Sequence, residues 1–201
     1  MKIICIGRNY ADHAKELGNE IPENPVIFIK PDTAVLKGTD FYIPEFSQEI
    51  HYELEVVLKI SKGGKYILKE NAAKHFDEIG LGIDFTARDL QNILKTKGLP
   101  WELAKAFDGS AVVSQFFPKE NFDLRNLNFS LAKNGETVQQ GSTSLMMFQP
   151  EDIIEFASKY FTLKAGDLIF TGTPKGVGKI SEGDMLQGFL ENEKVLDIRI
   201  F

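Results

Sequence analysis

Cysteine is nearly absent from this chain of 201 residues. The one thiol, Cys5, lies inside the apolar run Ile3-Ile4-Cys5-Ile6. It excludes an intrachain disulfide, suits a cytosolic protein and reads as a core residue rather than a nucleophile. Long apolar runs are missing too. No stretch approaches the ~20 residues that a membrane helix needs, and Arg8 and Asp12 arrive before any N-terminal segment reaches signal-peptide length. Positive charge is in deficit: 23 Lys and Arg against 29 Asp and Glu leave a net charge of −6. That balance argues against nucleic acid or an anionic membrane as the main partner. Repeats, low-complexity tracts and linkers are lacking, so one cytoplasmic domain over residues 1–201 is the expectation. Glycine patterns for nucleotides are incomplete. Gly80 and Gly82 have no glycine at 85, and the loop 171–178 lacks P-loop spacing followed by Lys and Ser or Thr.

What is present is an apolar content of 43% with 16 Phe, enough to fill a sizeable core. The clearest chemistry lies at residues 50–60. Apolar Tyr52, Leu54 and Val56 alternate there against His51, Glu53 and Glu55, the pattern of a strand. Residues two apart on a strand share a face at a spacing of roughly 6–7 Å. Glu53 and Glu55 therefore project side by side. Their repulsion is relieved either by water on a solvated face or by a hard divalent cation, which takes carboxylate oxygens.

Along the chain, residues 3–6 read as a buried strand. Residues 11–17 read as a short helix stopped by Gly18-Asn19, with His13 and Glu16 on one face. The loop 20–25 contains proline, and the helix before it is expected to order as a lid over substrate. Residues 26–29 and 36–43 read as strands. Residues 71–79 read as a helix with Ala72, Phe76 and Ile79 inward and His75 towards solvent. The segment 80–86 is expected to be a strand delivering Asp84 near its end, followed by a helix from residue 87. Asn134-Gly135 marks a hairpin between residues 129–133 and 136–140. Pro150 opens a helix whose buried stripe is Ile153, Ile154, Ala157, Tyr160 and Phe161. Residues 168–171 form a strand, and 184–191 with 194–201 form a closing hairpin.

Several segments together resemble the fumarylacetoacetate hydrolase family in its compact form. They are residues 7–13 (GRNYADH), 52–55 (YELE), 84–91 (DFTARDLQ), 105–108 (KAFD), 166–167 (GD) and 171–178 (TGTPKGVG). They run in the family's order and are closest to its acylpyruvate hydrolase and oxaloacetate decarboxylase branch. The resemblance implies an α+β, β-rich fold, a mixed β-sandwich roll with a few short helices, assembled as a homodimer. It implies Mg²⁺ or Mn²⁺ held by Glu53, Glu55 and Asp84. It also implies Lys105 as the enolate stabiliser, His13 and Glu16 as a water-activating dyad, and Arg88, Gln91 and Thr173 as substrate contacts. Two departures bear on the substrate: His51 stands where many members carry an acid, and the Gly-rich ending is missing.

The implied chemistry is cleavage of a C–C bond next to a 2-keto acid. Three carboxylates leave about three positions of an octahedral ion for a chelating substrate. Charge that appears only in the transition state is what a cation and Lys105 can stabilise to raise a rate. Hydrolysis of an acylpyruvate also needs an activated water, which Glu16 and His13 would supply; decarboxylation of oxaloacetate does not. A hydratase or a 2-hydroxydienedioate isomerase uses the same enolate chemistry. Two rivals lie outside this class. One is a non-haem iron oxygenase built on His51-x-Glu53 with a later His, for which only His75 is available. The other is a non-catalytic metal-binding or interaction module, for which His13 and Lys105 would be dispensable; apart from the resemblance, Lys105 reads as a surface lysine and Arg88 as a partner of Asp89 or Glu102.

Overall fold

A computed structural model of the chain describes residues 1–16, 18 and 21–201, with the backbone alone at Lys15. Leu17, Asn19 and Glu20, part of the expected helix end and loop, lie outside the described residues. In chain order the first strands are β1 (Lys2–Gly7), β2 (Val26–Pro31), β3 (Asp40–Phe41), β4 (Ile50–Tyr52) and β5 (Leu54–Ile60). Next come β6 (Phe76–Asp84), β7 (Thr86–Ala87), β8 (Ala111–Val113), β9 (Phe117–Pro118) and β10 (Asn128–Lys133). The last are β11 (Glu136–Ser142), β12 (Leu168–Phe170), β13 (Gly178–Lys179), β14 (Met185–Leu190) and β15 (Glu193–Ile200). Between them lie helices α1 (Ala11–Glu16), α2 (Lys69–Ala72), α3 (Arg88–Thr96), α4 (Glu102–Lys105) and α5 (Pro150–Tyr160).

The unbroken apolar run at the N-terminus forms an inner strand of the main sheet. β1 pairs antiparallel with β2 and parallel with β12. Ile4 and Ile6 enter the principal core, while Ile3 and Cys5 enter a second cluster with Val57, Leu168 and Phe170. A strand covered on both faces needs a continuous apolar run rather than alternation. The main sheet has the order β2-β1-β12-β5-β6-β8, with β9 beside β6. A five-stranded sheet, β11-β10-β14-β15-β3, packs on it through Phe129, Leu131, Leu186, Leu190 and Ile198. The strands β13, β4 and β7 make a third, small sheet. The result is the β-rich α+β sandwich expected, mixed because β1–β12 and β15–β3 run parallel.

Local signals behave as their chemistry dictates at several points. Asn134 and Gly135 take φ 55° and 86°, the left-handed pair that a two-residue hairpin turn requires. Pro150 begins α5, and Ile153, Ile154 and Ala157 are fully buried on its inner side. Five expectations need correction. The strand of residues 50–60 is broken at Glu53, with β4 in the small sheet and β5 in the main one. The helix of residues 71–79 reaches only Ala72, and after a 3₁₀ turn Phe76 and Ile79 belong to β6. Pairing along β5 wins over the helical spacing there. His75 turns inward and its Nδ1 donates to the Lys62 carbonyl at 2.8 Å. Residues 36–43 shrink to β3 after Gly38, and Tyr160 is exposed at the end of α5.

Candidate active site

Glu53 occupies the seam where the chain passes from the small sheet to the main one. Its carbonyl accepts the backbone N–H of Asp84, at the end of β6, at 2.8 Å. Glu55, two residues into β5, lies opposite Gly82 of β6. This register brings one oxygen each of Glu53, Glu55 and Asp84 within 4.8 Å of one another, all three residues buried. The alternative of a solvated carboxylate face is thereby excluded. Three carboxylates at this separation repel strongly in a low dielectric and demand compensation.

Three cations supply part of it. Lys105 Nζ donates to Glu53 Oε2 at 2.8 Å, Asp84 Oδ2 at 2.7 Å and Thr86 Oγ1 at 2.6 Å. Arg88 donates to the other Glu53 oxygen and, through Nη1, to Gln91 Oε1 at 2.6 Å. Lys30, fully buried, brings Nζ to 2.7 Å from Asp84 Oδ1. Its hydrogen bonds go instead to the Lys105 carbonyl and to Ser110, so Asp84 Oδ1 is buried without an aligned donor. Glu55 has no ion pair among the described residues and accepts the Gly172 N–H at 2.6 Å.

The titration directions follow from this uneven compensation. Burial pushes Glu53 up, but Lys105, Arg88 and His13 outweigh it and hold the carboxyl well below its usual range. Burial, then Asp84 and Glu53, drive Glu55 well above the usual range. Burial lowers Lys105, yet Asp84 and Glu53 more than reverse this and keep it an ammonium. A carboxyl disposed to keep its proton and a neighbouring oxygen lacking a donor are the features a divalent cation removes. Three hard oxygen donors fit such an ion, and among the described residues no histidine belongs to the cluster. This composition sets aside the iron reading. His51 instead accepts from Arg88 Nε at 3.4 Å, and burial and Arg88 hold its ring below the usual histidine range.

Loops bring the remaining groups to the cluster. Gly172 has φ 101°, and a Cβ there would lie 2.7 Å from Asn9 Cβ and 3.0 Å from the Ile6 carbonyl oxygen. Only glycine lets this loop approach and donate to Glu55. Asn9 anchors it, donating to the Thr171 and Phe148 carbonyls at 2.8 and 2.9 Å and accepting from Phe148 N at 2.7 Å. His13 on α1 donates from Nδ1 to Glu16 Oε2 at 3.0 Å, which leaves Nε2 free to act. Gly176 N donates to Glu16 Oε1 at 3.0 Å and docks α1 on the same loop. A cavity of about 430 Å³, mouth included, is lined by His13, Glu53, Glu55, Asp84, Lys105 and Thr173. Arg88 and Gln91 line it as well. Of the nine candidate residues only Glu16 stands outside the lining, behind His13.

The sequence profile of the family described as Fumarylacetoacetate (FAA) hydrolase C-terminal matches residues 2–199. The chain belongs to this family. Within it, the chain is 44% identical over 187 residues to a Bos taurus protein named oxaloacetate tautomerase FAHD1, mitochondrial, covering 92% of this chain and 85% of that one. It is 42% identical over 189 residues to a Dictyostelium discoideum protein named oxaloacetate decarboxylase, mitochondrial, covering 92% and 87%. A Pseudomonas aeruginosa fumarylpyruvate hydrolase, solved in complex with Mn²⁺ and pyruvate, superposes with a TM-score of 0.94 at 35% identity, covering 100% of this chain and 89% of that one. The chain is accordingly an enzyme of this family, whose similar members carry hydrolase, decarboxylase and tautomerase names. No helix among the described residues is long and apolar enough to cross a membrane.

Sequence reasoning missed three buried residues that support the carboxylate cluster from behind. Lys30 closes the apolar run of β2, where a lysine ordinarily leads out to water; the alternation Val26, Phe28, Lys30 was its one signal. Asn9 sat within a matching segment but carried no role. Gln139 of β11 is buried, accepting from Leu54 N at 2.9 Å and donating to Thr173 Oγ1 at 2.9 Å. Nothing local distinguishes it from Gln140 beside it.

Proposed function

We propose that this chain is a divalent-metal-dependent enzyme acting on 2-keto acids through their enolates, with oxaloacetate as the leading substrate and keto–enol tautomerisation as the leading reaction. The observation that carries the reading is the convergence, in one cavity, of the Glu53, Glu55 and Asp84 carboxylates with Lys105 and the His13–Glu16 pair. The names of the similar proteins support the substrate class. Glu53, Glu55 and Asp84 would hold Mg²⁺ or Mn²⁺, which supplies Lewis acidity towards the keto and carboxylate oxygens of a 2-keto acid.

The chain's own residues account for the rest. Lys105, held as an ammonium, has its three N–H groups on Glu53, Asp84 and Thr86 and would turn one of them to the keto oxygen as that atom gains negative charge; one such preorganised donor is worth about 10²–10³ in rate. Arg88, oriented by Gln91, presents its guanidinium to the substrate carboxylate. His13, its tautomer fixed by Glu16, takes the C3 proton at Nε2 and can return it to oxygen or carbon. Thr173, fixed by Gln139, adds a hydroxyl on the loop side.

The same dyad favours a second reaction, C–C cleavage next to the keto group. For an acylpyruvate, His13 would take a proton from water rather than from C3. For oxaloacetate, CO₂ leaves and no base is needed. A single catalytic domain over residues 1–201 belongs to this reading and is supported by the match over 2–199. A homodimer and a cytoplasmic location belong to it as well. The test is a panel of oxaloacetate, acetylpyruvate and fumarylpyruvate with protein freed of metal and then reloaded with Mg²⁺ or Mn²⁺. Enol absorbance, pyruvate release and substrate loss should appear only on reloading, with far-UV circular dichroism unchanged throughout. Equal turnover in chelator would overturn the metal assignment, and no turnover of any member would overturn the substrate class.

A further inference from the structure

Two cations in the cavity make no ion pair with the carboxylates among the described residues. Arg8 and Lys95 both line it, each half-buried, and neither has an acidic partner among the described residues. Arg8 follows β1 with φ 60°, a left-handed conformation that an arginine adopts only when its surroundings impose it. Asn9, clamped to Thr171 and Phe148, imposes it. The Arg8 Nε is fully buried and donates to nothing. A buried guanidinium N–H without an acceptor is costly, and an anion entering the cavity would satisfy it.

Lys95, on α3, lies with Nζ 5.7 Å from the centre of the Trp101 ring. Trp101 packs on Phe28 at 6.1 Å, and Lys105 Nζ lies 5.1 Å from the Phe28 centre. Each ring of this wall therefore carries one ammonium: Lys105 at the carboxylate cluster, and Lys95 in the same cavity that Arg8 lines. The two unpaired cations line one cavity, and burial, then the charges of Arg8 and Arg88, hold Lys95 below the usual lysine range.

We infer that Arg8 and Lys95 form a second anionic subsite, which receives the distal carboxylate of a dicarboxylic 2-keto acid whose reacting end lies at Glu53, Glu55, Asp84 and Lys105. The inference rests on the functional reading above and deepens it, since it makes the chain selective for dicarboxylates over monocarboxylates. Approach of the distal carboxylate gives Arg8 Nε its missing acceptor and offsets the like charges of Arg8 and Lys95. Arg88 and Lys105, both paired with Glu53, serve the reacting end of the substrate in that reading and leave the distal carboxylate to Arg8 and Lys95.

Malate and lactate separate this effect from chemistry, because they differ only in the distal carboxylate and neither carries a reactive keto group. Calorimetric titration of the Mn²⁺-loaded protein should show malate binding at least about tenfold tighter than lactate, the scale of a charged hydrogen bond. Arg8→Asn, which tolerates the left-handed backbone, and Lys95→Met should each erode that preference and leave lactate affinity unchanged. With oxaloacetate the same variants should raise KM and keep kcat. The proposal is overturned if wild type shows no preference, if both variants retain it, or if lactate affinity falls as far as malate affinity. Should Arg8→Asn fail to fold, Lys95→Met decides alone. If loaded wild type turns over no 2-keto acid, the functional reading falls, while the malate and lactate titrations still decide the subsite.

Discussion

Lys30→Met would test the electrostatic design of the site. Methionine keeps the length and apolar stem of lysine, so packing between β2 and β6 is largely preserved and the ammonium alone is lost. Asp84 then keeps Lys105 as its one ion-pair partner among the described residues, while the Lys105 carbonyl keeps Ser110 Oγ and the Ser110 carbonyl keeps the Phe85 N–H as donors. Removing one partner of a buried pair costs about 3–5 kcal/mol, because the other charge stays desolvated. For a chain of 201 residues each kcal/mol lowers Tm by about 2–4 °C, so the metal-free variant should melt about 6–20 °C below wild type. A cation bound at Asp84 replaces part of the missing charge. At 100 times its Kd such a ligand stabilises the fold by about 2.7 kcal/mol, and the variant should gain more from Mn²⁺ than wild type does. Differential scanning calorimetry with and without Mn²⁺ measures both quantities. A metal-free loss under about 2 °C, or an Mn²⁺ response no larger than that of wild type, would refute the reasoning.

Three other perturbations probe separate parts of the molecule. His13→Ala should depress acylpyruvate hydrolysis and tautomerisation by about 10²–10⁴ and slow oxaloacetate decarboxylation far less; equal slowing of all three in steady-state assays would make His13 a closing or binding group. Asp84→Ala should weaken Mg²⁺ binding severely and His51→Ala only mildly, as read by titration calorimetry, and the reverse ranking would relocate the site. Asp167 tests pH dependence: burial pushes its carboxyl up, but hydrogen bonds from the Lys2 side chain, Lys2 N and Lys164 N hold it below the usual range. A depressed carboxylate stabilises the fold above its unfolded pKa of about 3.9 and loses that contribution as pH falls through the folded value. The deficit of Asp167→Asn at neutral pH should therefore shrink in acid melts below about pH 4, whereas a constant deficit would assign it to packing.

Legibility in the sequence tracked the range of the interactions. The run 3–6, the Asn134-Gly135 turn and the Pro150 helix start are local signals, and each element formed where its residues indicated. His13 and Glu16, three apart on a helix, met as spacing required. Ala72, Phe76 and Ile79 were buried as expected but on a different element, since a short apolar pattern fits helix and strand alike and pairing with β5 decides. The break at Glu53 was not legible. It depends on Asp84 N–H and Gln139 reaching the backbone there from 31 and 85 positions along the chain. Lys105, Arg88 and Asp84 came to the site through the family resemblance alone, because no local pattern tells a lysine that will be buried 52 residues away from its partner from one that faces water.

The clamp of Asn9 on Thr171 and Phe148 has a consequence for how this scaffold can change. Glu53, Glu55 and Asp84 hang from hydrogen-bonded register between neighbouring strands, so their spacing is inherited from the sheet and is indifferent to the loops. Arg8, Lys95 and Trp101 hang from loop and helix positions that Asn9 and α3 hold in place. The molecule is thus divided into a conserved-by-geometry anvil and an exchangeable jaw. A library confined to residues 8, 95 and 101 would vary which acid is gripped while the ion seat stays as it is, and one confined to β5 and β6 would abolish the grip on every acid together.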